Sequence, residues 1–310
     1  MRKNVKIVGV CIILIVIIAQ ALISKANRSN SVEIADPCFL PILGEFYLDV
    51  ANTPEVMISL PIIFSENDSL IDKLCDASQV VSIKFQGDRE YAAKLISVQE
   101  ILTSDMVDGD AAKGLRYFYY YTSLDVSNIE QDFIDLNKIE IITLSQKYSY
   151  DIGSIIIHLI TSNSIHNVRY SGGTVFPLVL EGHLGGTLGI GLKRYDVTYS
   201  NRSSKTIYLT NVELGRFENF PYKIELDSFE LSSSDFQAYP IEPGKTIDII
   251  ITFDTISTPY YIFLLSPLLS FTYDDDTIKT FTPYATNGGA FTGNELKFIF
   301  DEVSNHNVQK

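Results

Sequence analysis

Apolar and polar residues alternate with a period of two along much of the chain. In segment 246–254, one alternating set is Ile247, Ile249, Ile251 and Phe253, and the other set is mostly threonine and aspartate. The same alternation recurs in segments 81–85, 194–199 and 222–227. Because successive side chains of a β-strand point to opposite faces, this pattern predicts strands with one buried face.

Turn-forming residues separate the predicted strands. Segment 201–204 suits a hairpin, and segment 242–245 places proline and glycine where a tight turn needs them. Only segments 68–77 and 128–136 have a helical pattern, the second through three large apolar residues that share one helical face. The predicted fold class is therefore all-β, with short helices as minor elements.

The first 26 residues have a different pattern. Arg2, Lys3 and Lys6 precede a continuous apolar run. A helix over residues 7–24 would span roughly 27 Å at about 1.5 Å per residue, which is close to the hydrocarbon core of about 30 Å. Positive charge ahead of the run keeps the tip in the cytoplasm and the rest of the chain outside. This predicts a single-pass membrane anchor.

A cleavable signal peptide is the alternative interpretation of the same segment. Small residues at Ala19 and Ala21 suit a cleavage site, and cleavage would release a secreted protein. Both interpretations predict export of everything that follows. We therefore expect an extracytoplasmic protein, held at the cell membrane by residues 7–24 or secreted.

The spacing of the strands predicts two β-sandwich-like domains after the N-terminal segment. Glycine, serine and asparagine are frequent between them, as in linkers and turns. The predicted divisions are an anchor or signal peptide at 1–26, a β domain with short helices at 36–160, a linker or connecting strand at 161–186, a second β domain at 187–301 and a polar tail at 302–310.

Two motifs of the second domain form a recognisable series. Segment 195–207 is a strand, a polar turn and a strand, and segment 241–249 is a Pro-Gly turn that enters a late strand. This resembles the immunoglobulin-like β-sandwich domains of bacterial extracytoplasmic proteins. The resemblance implies an immunoglobulin-like fold for residues 187–301. The chain has no tryptophan, so the core tryptophan of antibody-type domains is missing.

Charge and composition exclude several classes of protein. The 310 residues are 46% hydrophobic, which is too high for a mostly disordered chain. The net charge is −14, and the basic residues among the first 25 positions make the rest of the chain more acidic still. A body this acidic is a poor partner for nucleic-acid phosphates or anionic lipid headgroups. We therefore predict no nucleic-acid binding.

The sequence contains no recognisable catalytic motif. The glycines at 186–191 do not match a phosphate-binding loop, and a predicted strand follows them. His158 lies in an apolar strand and is interpreted as structural, while His183 lies in a glycine-rich loop without a partner pattern. Acidic clusters at 105–110 and 274–276 do not match a calcium-binding loop and are interpreted as solvated turns. We predict no enzyme activity, no cofactor and no metal.

Three tyrosines and two cysteines are candidate site residues. On a strand, Tyr117, Tyr119 and Tyr121 would share one face, which would be a binding platform if exposed or core if covered. Cys38 and Cys75 are the cysteines outside the N-terminal segment. They can form a disulfide after export or remain two partly buried thiols.

Three functional classes remain open at this point. The favoured one is a membrane-tethered structural or interaction module of the cell envelope with a protein partner, because tethered β domains without a catalytic pattern fit it. The alternatives are an exported module that binds glycan or a small molecule, and an exported hydrolase. A fold of this kind hosts many functions, so the fold alone does not choose among them.

Overall fold

The computed structural model of the chain describes residues 37–51, 53–160, 168–177, 180–183, 186–188, 192–227, 229–231, 238–253, 260–273, 276–281, 285–286 and 291–307. These residues belong to one compact unit, Pro37–Lys310. The predicted N-terminal anchor or signal peptide lies outside the described residues. Within the described part of the chain, no helix is long and apolar enough to cross a membrane.

The largest element of the fold is a ten-stranded sheet. Its strands are β1 (Cys38–Phe39), β2 (Ile42–Asp49), β3 (Glu55–Ser65), β4 (Val80–Gly87), β5 (Glu90–Ile101), β6 (Leu115–Asp125), β7 (Phe133–Thr143), β8 (Lys147–Ile160), β18 (Ile262–Leu265) and β21 (Ala285–Thr286). Their order across the sheet is β1-β3-β6-β5-β4-β7-β8-β2-β18-β21.

This sheet curls around its own core. The ring of Phe39 on β1 lies 5.8 Å from that of Tyr120 on β6 and 5.1 Å from that of Tyr150 on β8. The three strands are the first, third and seventh of the sheet order, so one ring can contact both others only if the sheet bends round. The first half of the chain is therefore one curled sheet, and the expectation of two facing sheets there is wrong.

Two further sheets form a β-sandwich. The five-stranded sheet has the order β15-β14-β17-β12-β9 and the four-stranded sheet has the order β16-β13-β19-β20. The bounds are β9 (Val168–Pro177), β12 (Leu192–Asn201), β13 (Ile207–Glu213), β14 (Tyr222–Leu226), β15 (Phe229–Leu231), β16 (Tyr239–Ile241), β17 (Thr246–Phe253), β19 (Leu268–Tyr273) and β20 (Asp276–Phe281). A short hairpin joins β10 (Leu180–His183) to β11 (Gly186–Leu188). Side chains from both larger sheets share one hydrophobic cluster, so this part of the chain is a sandwich, and the all-β fold class is confirmed.

The alternating pattern correctly predicts which side chains are buried in the sandwich. Ile247, Ile249, Ile251 and Phe253 on β17 are all at most 1% exposed. The strands predicted at 194–199 and 222–227 correspond to β12 and β14.

One side chain of the predicted strand at 81–85 lies on the wrong face. Ile83 and Phe85 are buried, whereas Val81 is 60% exposed. The pairing of β4 with β7 shifts register between Val80 and Ser82, and such a bulge reverses the face of the residue it adds.

The chain returns to the first sheet after most of the sandwich is complete. β18 pairs in parallel with β2, with Ile262 opposite Ile42, and β21 pairs with β18. β2 itself serves two cores: Ile42 and Phe46 pack inside the curled sheet, and Leu43 packs in the sandwich cluster. Segment 187–301 thus contains two strands of the ten-stranded sheet, while one strand of the sandwich, β9, lies before it, within the predicted linker at 161–186. The domain boundaries stay a prediction.

Helices are short except at the carboxyl end. They are α1 (Ile71–Leu74), three 3-10 segments, η1 (Thr103–Asp105), η2 (Gly109–Ala112) and η3 (Gly215–Asn219), and α2 (Gly293–Asn307). The helix predicted at 68–77 is reduced to the single turn of α1. The helix predicted at 128–136 is wrong, because Ile134 and Leu136 are buried with period two in β7 while Phe133 is 48% exposed.

The helix α2 replaces most of the predicted polar tail. Thr292 and Glu295 form a capping box: the Glu295 backbone N–H donates to Thr292 Oγ1 at 3.2 Å, and the Thr292 N–H donates to Glu295 Oε2 at 2.6 Å. Leu296 and Ile299 pack into the core of the curled sheet. The sequence motif T-x-x-E followed by this helical spacing is the signal that sequence reasoning missed.

Candidate functional site

The structure brings the three candidate tyrosines into a row on the outer face of the curled sheet. Tyr117, Tyr119 and Tyr121 occupy alternate positions of β6, so they project from the same face. The rings of Tyr117 and Tyr119 lie 5.3 Å apart edge to face, and those of Tyr119 and Tyr121 are stacked at 5.9 Å. We call these three residues the tyrosine row.

The cross-strand neighbours of the row change along it from apolar to small and polar. Tyr117 lies between Ile63 of β3 and Ile101 of β5. At the other end, Tyr121 lies between Ser59 and Ser97. Small neighbours leave the faces of an aromatic ring uncovered, so the row opens towards Tyr121.

Burial follows the same gradient. Tyr117 is 0% exposed and its ring lies 6.2 Å from that of Phe291, which precedes α2. Tyr119 and Tyr121 are half-buried. Burial raises the pKa of Tyr117 well above its usual range, and it also raises the pKa of Tyr119. The surface open to a partner therefore consists of Tyr119 and Tyr121, and Tyr117 packs beside Tyr119 at the buried end of the row.

A hydrogen bond fixes the buried end of the row. Tyr117 donates its hydroxyl to the hydroxyl of Tyr119 at 2.9 Å. Met57, on the same face of β3 at the open end, is 42% exposed. An apolar surface with hydroxyl groups at its edge is typical of protein-binding surfaces, where tyrosine is enriched.

A second cluster of functional side chains lies where the curled sheet meets the sandwich. Its centre is Glu45 on β2, which is only 6% exposed. His158 Nε2 on β8 donates to Glu45 Oε1 at 2.6 Å. From η3, Arg216 donates its backbone N–H to Glu45 Oε2 at 2.6 Å, and its Nε lies 3.3 Å from the same oxygen. Arg216 also donates from Nη1 to Ser154 Oγ at 2.8 Å.

These contacts keep Glu45 ionised. Burial is the largest single influence and by itself raises the pKa of Glu45. The hydrogen bonds from His158 and from the Arg216 backbone, with the electrostatic attraction of both residues, outweigh burial and hold the pKa below its ordinary value of 4.5. The carboxylate is thereby a charged centre between two parts of the fold.

Chain geometry at Gly215 permits this approach. Gly215 has a φ of +59°, and a Cβ at this position would lie 2.3 Å from Glu45 Oε1. Only glycine combines that conformation with such a close approach. On the other side, the ring of Tyr47 stacks on that of His158 at 4.6 Å. Donors from β8 and η3 contact both carboxylate oxygens of Glu45, so the cluster joins the curled sheet to the sandwich.

The sequence interpretation of His158 as a structural strand residue did not include its partner. The signal was available in β2, where Glu45 interrupts the apolar segment Ile42–Asp49. A buried carboxylate needs a paired charge. Its partners come from 113 and 171 positions away, a separation that no local pattern reveals.

The remaining sequence candidates lie elsewhere. His183 is the last residue of β10. In the acidic cluster at 105–110, Asp105 ends η1, Asp108 precedes η2 and Asp110 lies in η2. Among the described residues, no group of three or more histidine, cysteine, aspartate or glutamate side chains could hold a metal ion. Asp274 and Asp275 lie outside the described residues.

The two candidate cysteines are free thiols in the structure. Cys38 is buried in β1, and Cys75 is half-buried just after α1. Burial raises the pKa of each thiol to about 12. Thiolate is the form that attacks disulfides and binds metals, so both side chains are unreactive in this state.

Comparisons with known proteins add no family. No family model matches the chain, and no curated protein matches it in sequence. Among solved structures, the chain is similar at 10% identity to a protein of unknown function from Porphyromonas gingivalis W83, over 82% of this chain and 96% of that one, with a TM-score of 0.21. It is also similar at 10% identity to the C-terminal domain of the antigen I/II polypeptide BspA of Streptococcus agalactiae, over 80% of this chain and 99% of that one, with a TM-score of 0.24.

A third structure is a mutant of the CfaE adhesin of enterotoxigenic E. coli. It matches at 10% identity over 83% of each chain, with a TM-score of 0.24. Of the three, only this last one is described as an adhesin. These TM-scores are too low to show that the proteins share a fold with this chain.

Proposed function

We propose that this protein is a membrane-tethered, extracytoplasmic interaction module of the cell envelope, without catalytic activity, that binds a protein partner through the open end of the tyrosine row. The observation that carries the proposal is the half-buried pair Tyr119 and Tyr121, stacked at 5.9 Å on a rigid sheet. Tyrosines held in this way offer a large contact area at little cost in conformational entropy.

The surroundings of the pair support a binding role over a core role. Ser59 and Ser97 flank Tyr121 where a core strand would carry large apolar residues. By contrast, the buried tyrosines of the sandwich, such as Tyr195 and Tyr199, are 0% exposed. Interface residues that carry most of the binding energy are enriched in tyrosine.

The tether and the immunoglobulin-like class of the sandwich are parts of the same proposal. Arg2, Lys3 and Lys6 before the apolar run support insertion with the N-terminus in the cytoplasm. The two-sheet sandwich, with its strand-turn-strand segment across β12 and β13, supports the immunoglobulin-like interpretation.

The tether is tested by fractionation. The full chain is expected in the membrane fraction and resistant to extraction with carbonate, whereas a chain that begins at Asn27 behind a cleavable export signal is expected in the soluble fraction. Membrane binding of the truncated chain would contradict the anchor. Protease added to intact cells should digest the body of the full chain, and its protection would contradict the proposed orientation.

The interaction is tested by purification after crosslinking in native cells. A stoichiometric partner is expected to co-purify with the wild type and to be depleted in a Tyr121→Ser variant. Tyr208→Ser is the matched control, because Tyr208 is a 43% exposed tyrosine on β13 of the sandwich. Equal recovery of the partner with all three proteins would contradict the assigned surface.

A further inference from the structure

The structure contains a surface cavity that belongs to neither site described above. It lies between η1, η2 and the first turn of α2 and has a volume of about 710 Å³. Its lining side chains are mostly polar, and they are Thr103, Ser104, Asp108, Asp110, Ala111, Lys113 and Asn294, with the backbone of Gly109. The cavity is open to solvent, since Ser104, Asp108, Asp110 and Lys113 are exposed.

The walls of this cavity are fixed to one another before any ligand binds. The Gly293 N–H donates to the carbonyl oxygen of Val107 at 2.8 Å, and Asn294 Nδ2 donates to Asp108 Oδ2 at 3.1 Å. A Cβ at Gly293 would lie 2.1 Å from the carbonyl oxygen of Asp108, so the helix and the loop are in close backbone contact. A rigid site lowers the entropy cost of binding.

The lining side chains exclude several classes of ligand. Two carboxylates against one ammonium group repel an anion such as phosphate. An apolar ligand would displace water from the exposed carboxylates of Asp108 and Asp110 and from the Lys113 ammonium group without replacing its hydrogen bonds, which is costly. Among the described residues, no group of three or more suitable side chains could hold a metal ion. A purely cationic ligand would use the carboxylates but would be repelled by Lys113.

We propose that this cavity binds a neutral saccharide. The lining presents acceptors on Asp108 and Asp110, donors on Lys113 and Asn294, and hydroxyls on Thr103 and Ser104 that do both. Each sugar hydroxyl can both donate and accept a hydrogen bond, so a saccharide can pair with the donors and the acceptors of this lining. This site is distinct from the tyrosine row and goes beyond the proposed protein-binding function.

Apolar residues beside the cavity support the same class of ligand. Leu102 precedes Thr103 and is 56% exposed, and Val107 precedes Asp108 and is 70% exposed. A saccharide has apolar C–H faces as well as hydroxyls, and these exposed aliphatic side chains, next in sequence to lining residues, are available to such faces.

The experiment measures binding of the purified full chain to an immobilised panel of neutral, sialylated and sulfated oligosaccharides, followed by calorimetry with the strongest neutral oligosaccharide. The test variant carries Asp108→Asn and Asp110→Asn, which remove charge at constant shape. Asparagine tolerates the positive φ of 55° at position 108, so the variant should fold. Asn294→Ala is a second variant. Asp151→Asn is the matched control, because Asp151 is a 74% exposed aspartate on β8.

Binding of neutral oligosaccharides by the wild type and the control, weakened about tenfold or more in the two cavity variants at unchanged melting temperature, is the expected result. The proposal is overturned if no neutral oligosaccharide binds, if only charged oligosaccharides bind, or if the cavity variants bind as tightly as the control. Failure here would leave the tyrosine-row proposal intact, because Tyr121→Ser is tested with a different readout.

Discussion

The backbone N–H of Arg216 donates a hydrogen bond of 2.6 Å to the carboxylate of Glu45, 171 positions earlier in the chain. This contact links the strand β2, which serves both hydrophobic cores, to the first turn after β13 of the sandwich. Since His158 donates to the other carboxylate oxygen, one buried charge connects three segments of the fold.

Replacement of Glu45 should therefore be costly. Glu45→Gln keeps the shape but removes the charge that His158 and Arg216 face, and it should lower the free energy of unfolding by about 2–4 kcal/mol. Urea denaturation checks this. Glu90→Gln is the matched control, since Glu90 pairs with Lys84 at the surface, and it should change the free energy little. Equal losses of unfolding free energy for Glu45→Gln and Glu90→Gln would contradict the role of Glu45 as a stabilising buried charge.

The pH dependence of stability should carry the signature of Glu45. Its pKa is held below the ordinary value of 4.5 in the folded state, so it contributes stability above that value and loses the contribution as the pH falls through the folded pKa. The difference in unfolding free energy between wild type and Glu45→Gln should shrink as the pH falls from about 5.5 into acid. A difference that grows as the pH falls below 4.5 would have the wrong sign.

Gly215→Ala should be more damaging than an ordinary substitution at positive φ. Gly215 and Gly244 have φ values of +59° and +74°, but a Cβ at Gly215 would meet the Glu45 carboxylate whereas none lies near Gly244. Each alanine pays about 1–2 kcal/mol for its conformation. The collision should make Gly215→Ala the more destabilising of the two by at least about 1 kcal/mol. Thermal melting of both variants compares them, and equal melting temperatures would show that the contact with Glu45 is not close.

The two ends of the tyrosine row should differ in their effect on stability. Tyr117→Ala removes a fully buried ring and should cost about 3–5 kcal/mol of unfolding free energy. Tyr121→Ala removes a half-buried ring between two serines and should cost about 1–2 kcal/mol. Urea denaturation of both variants measures the gradient. A cost for Tyr121→Ala as large as that for Tyr117→Ala would make the row a core element along its whole length.

Much of the fold follows from alternation alone. The pattern in segment 246–254 identifies β17 and its buried face, and the all-β class follows from such segments. The pattern fails at Val81 and in segment 128–136, because the bulge in β4 and the start of β7 are set by pairing with neighbouring strands. α2 was within reach of sequence reasoning through the capping box that begins at Thr292.

The candidate site was only partly predictable. That Tyr117, Tyr119 and Tyr121 share a face follows from their spacing in a strand. Which of them is open depends on Phe291, whose position in the fold is set by a part of the chain more than 160 residues away. The parallel pairing of β18 with β2 likewise depends on tertiary packing, and no local sequence motif predicts it.

Photocrosslinking in native cells tests the central claim most directly. A photoreactive phenylalanine analogue replaces Tyr121 in one protein and Tyr208 in another, so that a half-buried position of the tyrosine row is compared with an exposed tyrosine position on a different sheet. The account predicts a discrete, light-dependent adduct with one protein partner from position 121 and none from position 208. An adduct from position 208 alone, or no adduct from position 121 in cells that express the protein at its native level, would contradict it.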